Sequence, residues 1–234
     1  MVITRKLTVR DISNFVYCPL KAYISMRTEI QQIKTKQMIA GEILHKAFFI
    51  KVKHGIATLE REIQSLLNNA PRQMHNSLLR KIKSLTKSKI KIKLPHALIE
   101  PTLTSIVHQV TGKPDIVGFA KKPIIIEVKF PTNPIQEPTN SDVVQIIWYY
   151  ILFSEVYNYQ GPVSLLIVYP LQNKLFPIKL TQHAIKYALS VKEKLIATIT
   201  DMAPLPKVRS RTVSYTHLRA HETSLHLVCR LLLE

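Results

Sequence analysis

Two carboxylates and an amine on neighbouring stretches of chain are the residues best placed to do chemistry. The segment 124–130 reads IIIEVKF. With a period of two, Ile124, Ile126, Val128 and Phe130 share one face of a strand, while Ile125, Glu127 and Lys129 share the other. The aliphatic run indicates burial, and a buried carboxylate or ammonium is costly unless paired or metal-bound. An internal Glu127–Lys129 ion pair would meet that demand without any catalysis. Asp115, in TGKPDIVG, favours the other reading, because it opens the preceding strand and a hairpin would bring it beside Glu127. Two carboxylates converging at a strand end form a hard-oxygen site suited to Mg²⁺ or Mn²⁺. A lysine two residues further on can polarise or orient an attacking water. Those are the parts that phosphodiester hydrolysis requires.

The elements that must hold these groups follow from hydrophobic period and punctuation. Thr8 to about Met26 reads as a helix broken at Pro19. Lys36–His54 reads as a longer helix, stopped by Gly55 in a left-handed cap position. Thr58 is the expected cap of a third helix, which runs to Asn68-Asn69 before Pro71. Met74, Leu78, Ile82 and Leu85 have helical spacing, whereas KIKIKLP at 89–95 alternates as a half-buried strand does. The span 72–93 carries eight lysines and arginines and no acid, which suits a DNA-facing surface or a solvated face with a lysine-guarded edge strand. Strands are expected at Asp115–Ala120 and Pro123–Phe130, joined through Lys121 and Lys122. A proline-rich loop follows, and then a helix capped by Ser141 that is apolar nearly all round. Pro162–Tyr169 and Lys174–Leu180 form a second hairpin in which Pro177 requires an edge strand. Thr181 caps the last helix. The pattern gives an α/β fold with one central mixed sheet flanked by helices.

Composition narrows the partners. The 234 residues carry a net charge of +18 with a pI near 10.0, which favours nucleic acid, although basic surfaces also occur in proteins with no enzymatic role. Five glycines against 14 prolines argue against a glycine-rich phosphate cradle. No apolar run of membrane-spanning length and no secretory leader is visible, so a cytoplasmic location is expected. Cys18 and Cys229 are the two cysteines, too few for a disulfide framework and consistent with a reducing compartment.

GKPDIVG followed by IIIEVKF resembles the core of the PD-(D/E)-x-K nucleases. GEILHKAFF, supplying His45 upstream, and a Q-x-x-x-Y pair, Gln145 and Tyr149, four apart on one helix face, make the chain similar to the RecB-like branch. The opening ITRKLTVRDISNFVYCPLKAYIS adds a resemblance to the CRISPR-associated exonucleases called Cas-four, extending over residues 5 to about 208. This resemblance implies a restriction-endonuclease-like core. It further implies that Asp115 and Glu127 ligate Mn²⁺ or Mg²⁺ together with His45 and the Val128 carbonyl, and that Lys129 assists the water. Gln145 and Tyr149 would position the strand, with Lys121 and Lys122 on phosphates. The implied activity is exonuclease trimming of single-stranded DNA ends during CRISPR spacer acquisition, alongside integrase proteins. Two alternatives are a RecB-like repair nuclease outside CRISPR and a non-catalytic DNA-binding subunit.

In the Cas-four family Cys18 would be one ligand of a 4Fe-4S cluster, and three further cysteines normally follow near the C-terminus. They are missing here, so this polypeptide is not expected to hold the cluster, and weaker packing between the opening segment and the C-terminal end should result. From about Arg211 the text TVSYTHLRAHETSLHLVCRLLLE resembles translated sequencing-adaptor read-through. The expected organisation is therefore a nuclease domain over 1–210 and a non-native tail over 211–234. His217 and His221 in that tail lack the glutamate of a zinc helix.

Overall fold

Apolar residues on both faces of a central sheet dictate the architecture. The computed structural model describes residues 6–27, 34–90, 92, 96–202 and 204. Among them lie seven α-helices and two mixed sheets. The larger sheet has five strands in the order β2 (Ala97–Ile99), β5 (Ile116–Gly118), β6 (Ile124–Val128), β7 (Ser164–Tyr169) and β8 (Lys174–Ile178). Its neighbours run antiparallel except β6 and β7, which are parallel. Pro177 stands on the edge strand β8, the one kind of position where its missing N–H costs no ladder bond.

The alternation in β6 sorts its side chains between two cores. Ile125 joins the apolar cluster built by α1 (Val9–Tyr17), α6 (Asn140–Val156) and α7 (Gln182–Ile199). Ile126 and Val128 join the cluster of α3 (Lys36–His54), α4 (Ile56–Asn68) and α5 (His75–Lys87) on the opposite face. The sheet is thus covered on both sides, as its aliphatic strands require. Trp148 and Phe153 of α6 are fully buried, and the Trp148 indole N–H donates to the Ala188 carbonyl of α7 at 3.1 Å.

The central mixed sheet is the one expected, and a second, three-stranded sheet accompanies it. In it β1 (Leu7–Thr8) pairs in parallel with β4 (Val110–Gly112), which pairs antiparallel with β3 (Leu103–Ser105). Strands of two or three residues give too short a run for period-two reading. Gly112 is required in β4 by packing. A Cβ there would stand 2.7 Å from Val9 Cγ2 and 2.9 Å from both Leu152 Cδ1 and Tyr149 Cε1.

Several boundaries differ from the expected ones. Gly55 ends α3 with φ +86° and ψ 176°, a positive-φ extended conformation rather than the left-handed helical one. Helix α4 starts directly after it, and the Thr58 hydroxyl donates back to the His54 carbonyl instead of capping. The cap of α6 is Thr139, not Ser141: Thr139 and Asp142 form a reciprocal capping box, while the Ser141 hydroxyl donates to the Ser13 carbonyl. Lys89, Ile90 and Ile92, the described residues of the 89–95 stretch, belong to neither sheet. Asn173 Oδ1 accepts from the Lys89 amide at 2.7 Å, and Ile90 and Ile92 pack on the α3–α5 core. The break at Pro19 is as expected, with α2 (Pro19–Arg27) following α1. Arg27 and Tyr23 of α2 bond Asp201 just beyond α7, the Arg27 guanidinium at 2.5 and 2.7 Å. Residues 205–234, which contain His217, His221 and Cys229, lie outside the described residues. Among the described residues no helix is long and apolar enough to cross a membrane.

Candidate active site

Register places the two carboxylates opposite each other. Ile116 of β5 pairs with Ile126 of β6 in an antiparallel ladder, so Asp115 falls beside Glu127 with both side chains on the α6 face. Both line a cavity of about 830 Å³ together with His45, Lys129, Asp142 and Gln145. They sit at its floor, Asp115 8% and Glu127 5% exposed. Asp115 is fixed by two contacts. Its Oδ2 accepts from the Val128 amide at 2.6 Å, and its Oδ1 lies 3.3 Å from His45 Nδ1. Helix α3 brings His45 from the other side of the sheet's edge, and Phe130 packs edge-on against its ring with centroids 5.1 Å apart.

Glu127, Lys129 and α6 form one polar network. Gln145 Nε2 donates to Glu127 Oε1 and to the Tyr149 hydroxyl, both at 2.9 Å. Gln145 Oε1 accepts from Lys129 Nζ at 2.7 Å. Lys129 Nζ also lies 3.1 Å from Glu127 Oε1 and 3.1 Å from Asp142 Oδ1. The four-residue spacing that puts Gln145 and Tyr149 on one face of α6 therefore serves to lock the carboxylate to the lysine. Asp142 is the residue that sequence reasoning missed. Its Oδ2 accepts from the Thr139 hydroxyl at 2.8 Å and receives the Tyr169 hydroxyl at 3.4 Å, so one carboxylate both caps α6 and holds Lys129. The T-x-x-D pattern of 139–142 was its signal.

The electrostatics follow from burial and crowding. Burial, then the neighbouring Asp115, push the Glu127 pKa up to about 8, although Lys129 pulls it down. Burial opposes the Lys129 ammonium, but Glu127 and Asp142 outweigh it and hold its pKa above the ordinary lysine value. The amine is a fixed cation rather than a proton acceptor. Burial and the Glu127 charge likewise raise the Tyr149 pKa, keeping the phenol protonated. A Glu127–Lys129 ion pair therefore exists, as the non-catalytic reading requires. It leaves Glu127 Oε2 buried with no hydrogen-bond partner. An orphaned carboxylate oxygen beside a second carboxylate asks for a cation.

Among the described residues no three His, Cys, Asp or Glu side chains converge into a ready-made metal cage. His45, Asp115 and Glu127 nevertheless share one cavity, and an imidazole with two carboxylates is a donor set for Mn²⁺ or Mg²⁺. The residues fit such an ion in donor type. An iron–sulfur cluster does not fit. Cys18 is a buried free thiol at the α1–α2 junction, and the sequence contains two cysteines in all where four thiolates are needed. Lys121 and Lys122 are not brought to this site. They occupy the turn at the far end of the β5–β6 hairpin and do not line the cavity.

No known protein-family profile matches this sequence, and comparison with curated proteins returns no match. Among solved structures, a protein from Eubacterium rectale named as a candidate exonuclease shares the fold, with a TM-score of 0.54 and 9% identity over 90% of this chain and 87% of that one. Protein SSO0001 aligns at a TM-score of 0.31 and 12% identity over 81% of this chain and 85% of its own, which carries no argument.

Proposed function

We propose that this protein is a metal-dependent deoxyribonuclease. The observation that carries the reading is the pairing of Asp115 with Glu127 across adjacent strands, with a buried Glu127 oxygen unsatisfied and Lys129 alongside. The candidate-exonuclease name of the fold neighbour is in keeping with it. His45, Asp115 and Glu127, with the Val128 carbonyl, would hold Mn²⁺ or Mg²⁺. Such an ion supplies Lewis-acid charge and lowers the pKa of bound water.

The chain's own groups do the rest. The Val128 amide fixes the Asp115 carboxylate, and Gln145 fixes that of Glu127. Lys129, kept protonated by Glu127 and Asp142, presents a fixed positive charge where negative charge grows on a reacting phosphate. Because these donors are locked before substrate arrives, little reorganisation is needed during reaction.

The finer reading is an exonuclease that trims single-stranded DNA ends, acting with integrase proteins in CRISPR spacer acquisition. Its support is the order of the motifs: Tyr17-Cys18-Pro19, then His45, Asp115, Glu127 and Lys129, then Gln145 and Tyr149. Cleavage of a labelled single strand with Mn²⁺ tests the enzyme assignment. Glu127→Ala and Asp115→Ala should each abolish product formation. Equal activity in wild type and Glu127→Ala would leave a DNA-binding protein without hydrolytic chemistry.

A further inference from the structure

Three cations stand around the mouth of the cavity whose floor is acidic. Arg10 comes from α1, Lys46 from α3 and Lys113 from the link between β4 and β5. All three are exposed, and among the described residues none is paired with a carboxylate. Each is anchored by a different wall, so the charge surrounds the opening rather than forming a stripe along one helix. Two of them are close in sequence to proposed ligands: Lys46 follows His45, and Lys113 precedes Asp115 by two residues. The acids of the cavity are otherwise engaged. Glu42 pairs with Lys34 at 2.8 Å, Asp142 and Glu127 pair with Lys129, and Asp115 faces His45. Glu100 is the rim acid outside those pairs.

A cationic rim over a carboxylate floor matches a polyanion that places one phosphate at the floor and its neighbours at the edge. A lone small anion would have no use for three separated cations. The depth of the floor selects further. A phosphate of a stiff duplex, whose persistence length is about 150 base pairs, stays on the surface of a rod. A single strand can bend a phosphate down to carboxylates that are only 8% and 5% exposed.

We propose that Arg10, Lys46 and Lys113 bind the phosphates flanking the scissile one, so that the site accepts a single nucleic-acid strand threaded over its mouth. This inference rests on the nuclease reading for the identity of the floor. The rim itself can be tested without cleavage.

The test is fluorescence anisotropy of a fluorescein-labelled oligothymidylate with the full chain in EDTA, titrated with salt. Each single-strand phosphate contact contributes a slope of about 0.7 in log affinity against log salt, or roughly fivefold at ~0.1 M. Arg10→Ala, Lys46→Ala and Lys113→Ala should each weaken binding by about fivefold, and the triple variant by about a hundredfold, with the slope reduced by about 2. Lys121→Ala/Lys122→Ala, far from the mouth, should change affinity less than about twofold. The charge-retaining Lys46→Arg should bind as wild type, which separates lost contact from lost folding. A duplex of the same length should bind more weakly and be indifferent to the triple substitution. Wild-type affinity in the triple variant, or equal losses in the Lys121/Lys122 control, overturns the rim. So does a duplex as sensitive as the single strand. A chain that binds through the rim but never cleaves sinks the nuclease reading alone, whereas normal cleavage with a dispensable rim sinks this inference alone.

Discussion

Replacing Glu127 by glutamine should change how the stability of the metal-free protein responds to pH. The folded chain raises the Glu127 pKa from 4.5 to about 8, chiefly by burial and then by Asp115. Below pH 4.5 the carboxyl is protonated in both folded and unfolded chains, and the fold holds it without charge. As pH climbs from 4.5 towards 8 the unfolded chain ionises freely while the folded one resists, so stability falls across that window. The contribution of this carboxyl is fully lost once it has ionised in the folded chain too. At roughly 1.36 kcal/mol per pKa unit, the span from 4.5 to about 8 amounts to a loss of about 5 kcal/mol at most. Glu127→Gln keeps the shape and the Gln145 contact but removes the titration. Urea unfolding of both proteins in EDTA, at several pH values between about 4 and 9, reads the term from their difference, since Lys129 and Tyr149, whose pKa values Glu127 also raises, keep their protons across that range. The glutamine variant should gain on wild type by several kcal/mol as pH rises. Adding Mg²⁺ near pH 8 should return the loss to wild type and leave Glu127→Gln unchanged, because a cation binds the ionised carboxylate of the folded chain. A difference that stays constant across the whole range would show that Glu127 ionises like a surface carboxylate, and the crowding argument would fail.

Two further substitutions probe the support around that pair. Asp142→Asn retains a cap acceptor for Thr139 but removes the charge 3.1 Å from Lys129. A charge-assisted bond is worth about 1.5–3 kcal/mol, so the urea midpoint should fall by an amount of that order, and cleavage should drop as Lys129 loses one of the two carboxylates that anchor it. Gly112→Ala would force a Cβ against Val9, Leu152 and Tyr149 at 2.7–2.9 Å. Overpacking of that kind costs about 1–3 kcal/mol, visible as a lower melting temperature.

The sequence disclosed most where one strong pattern decided the matter. Alternation in 124–130 separated Glu127 from Ile126 correctly and placed it with Asp115, because burial on two faces tolerates no slip of register. The helices at 36–54 and after Thr181 were equally plain from period and caps. Short strands were not. β1, β3 and β4 have two or three residues each and owe their existence to pairing across distant chain, which no local propensity records. Asp142 is hidden because a capping residue and an ion-pair partner are the same atom group here, and Ser141, which reads as the cap, lies two residues past the true one at Thr139. Lys121 and Lys122 were attractive as a basic turn, but a hairpin has two ends, and the carboxylates occupy the other one.

The parallel pairing of Leu7 with Val110 also sets an order of events during synthesis. The two partners are separated by 103 residues of chain, so the wall that carries Arg10 has no sheet to join until that length has left the ribosome. Glu127 and Gln145 emerge later still. Long-range closures of this kind form slowly and late. A nascent chain therefore lacks the complete cavity until Tyr149, its last lining residue in sequence, has been made.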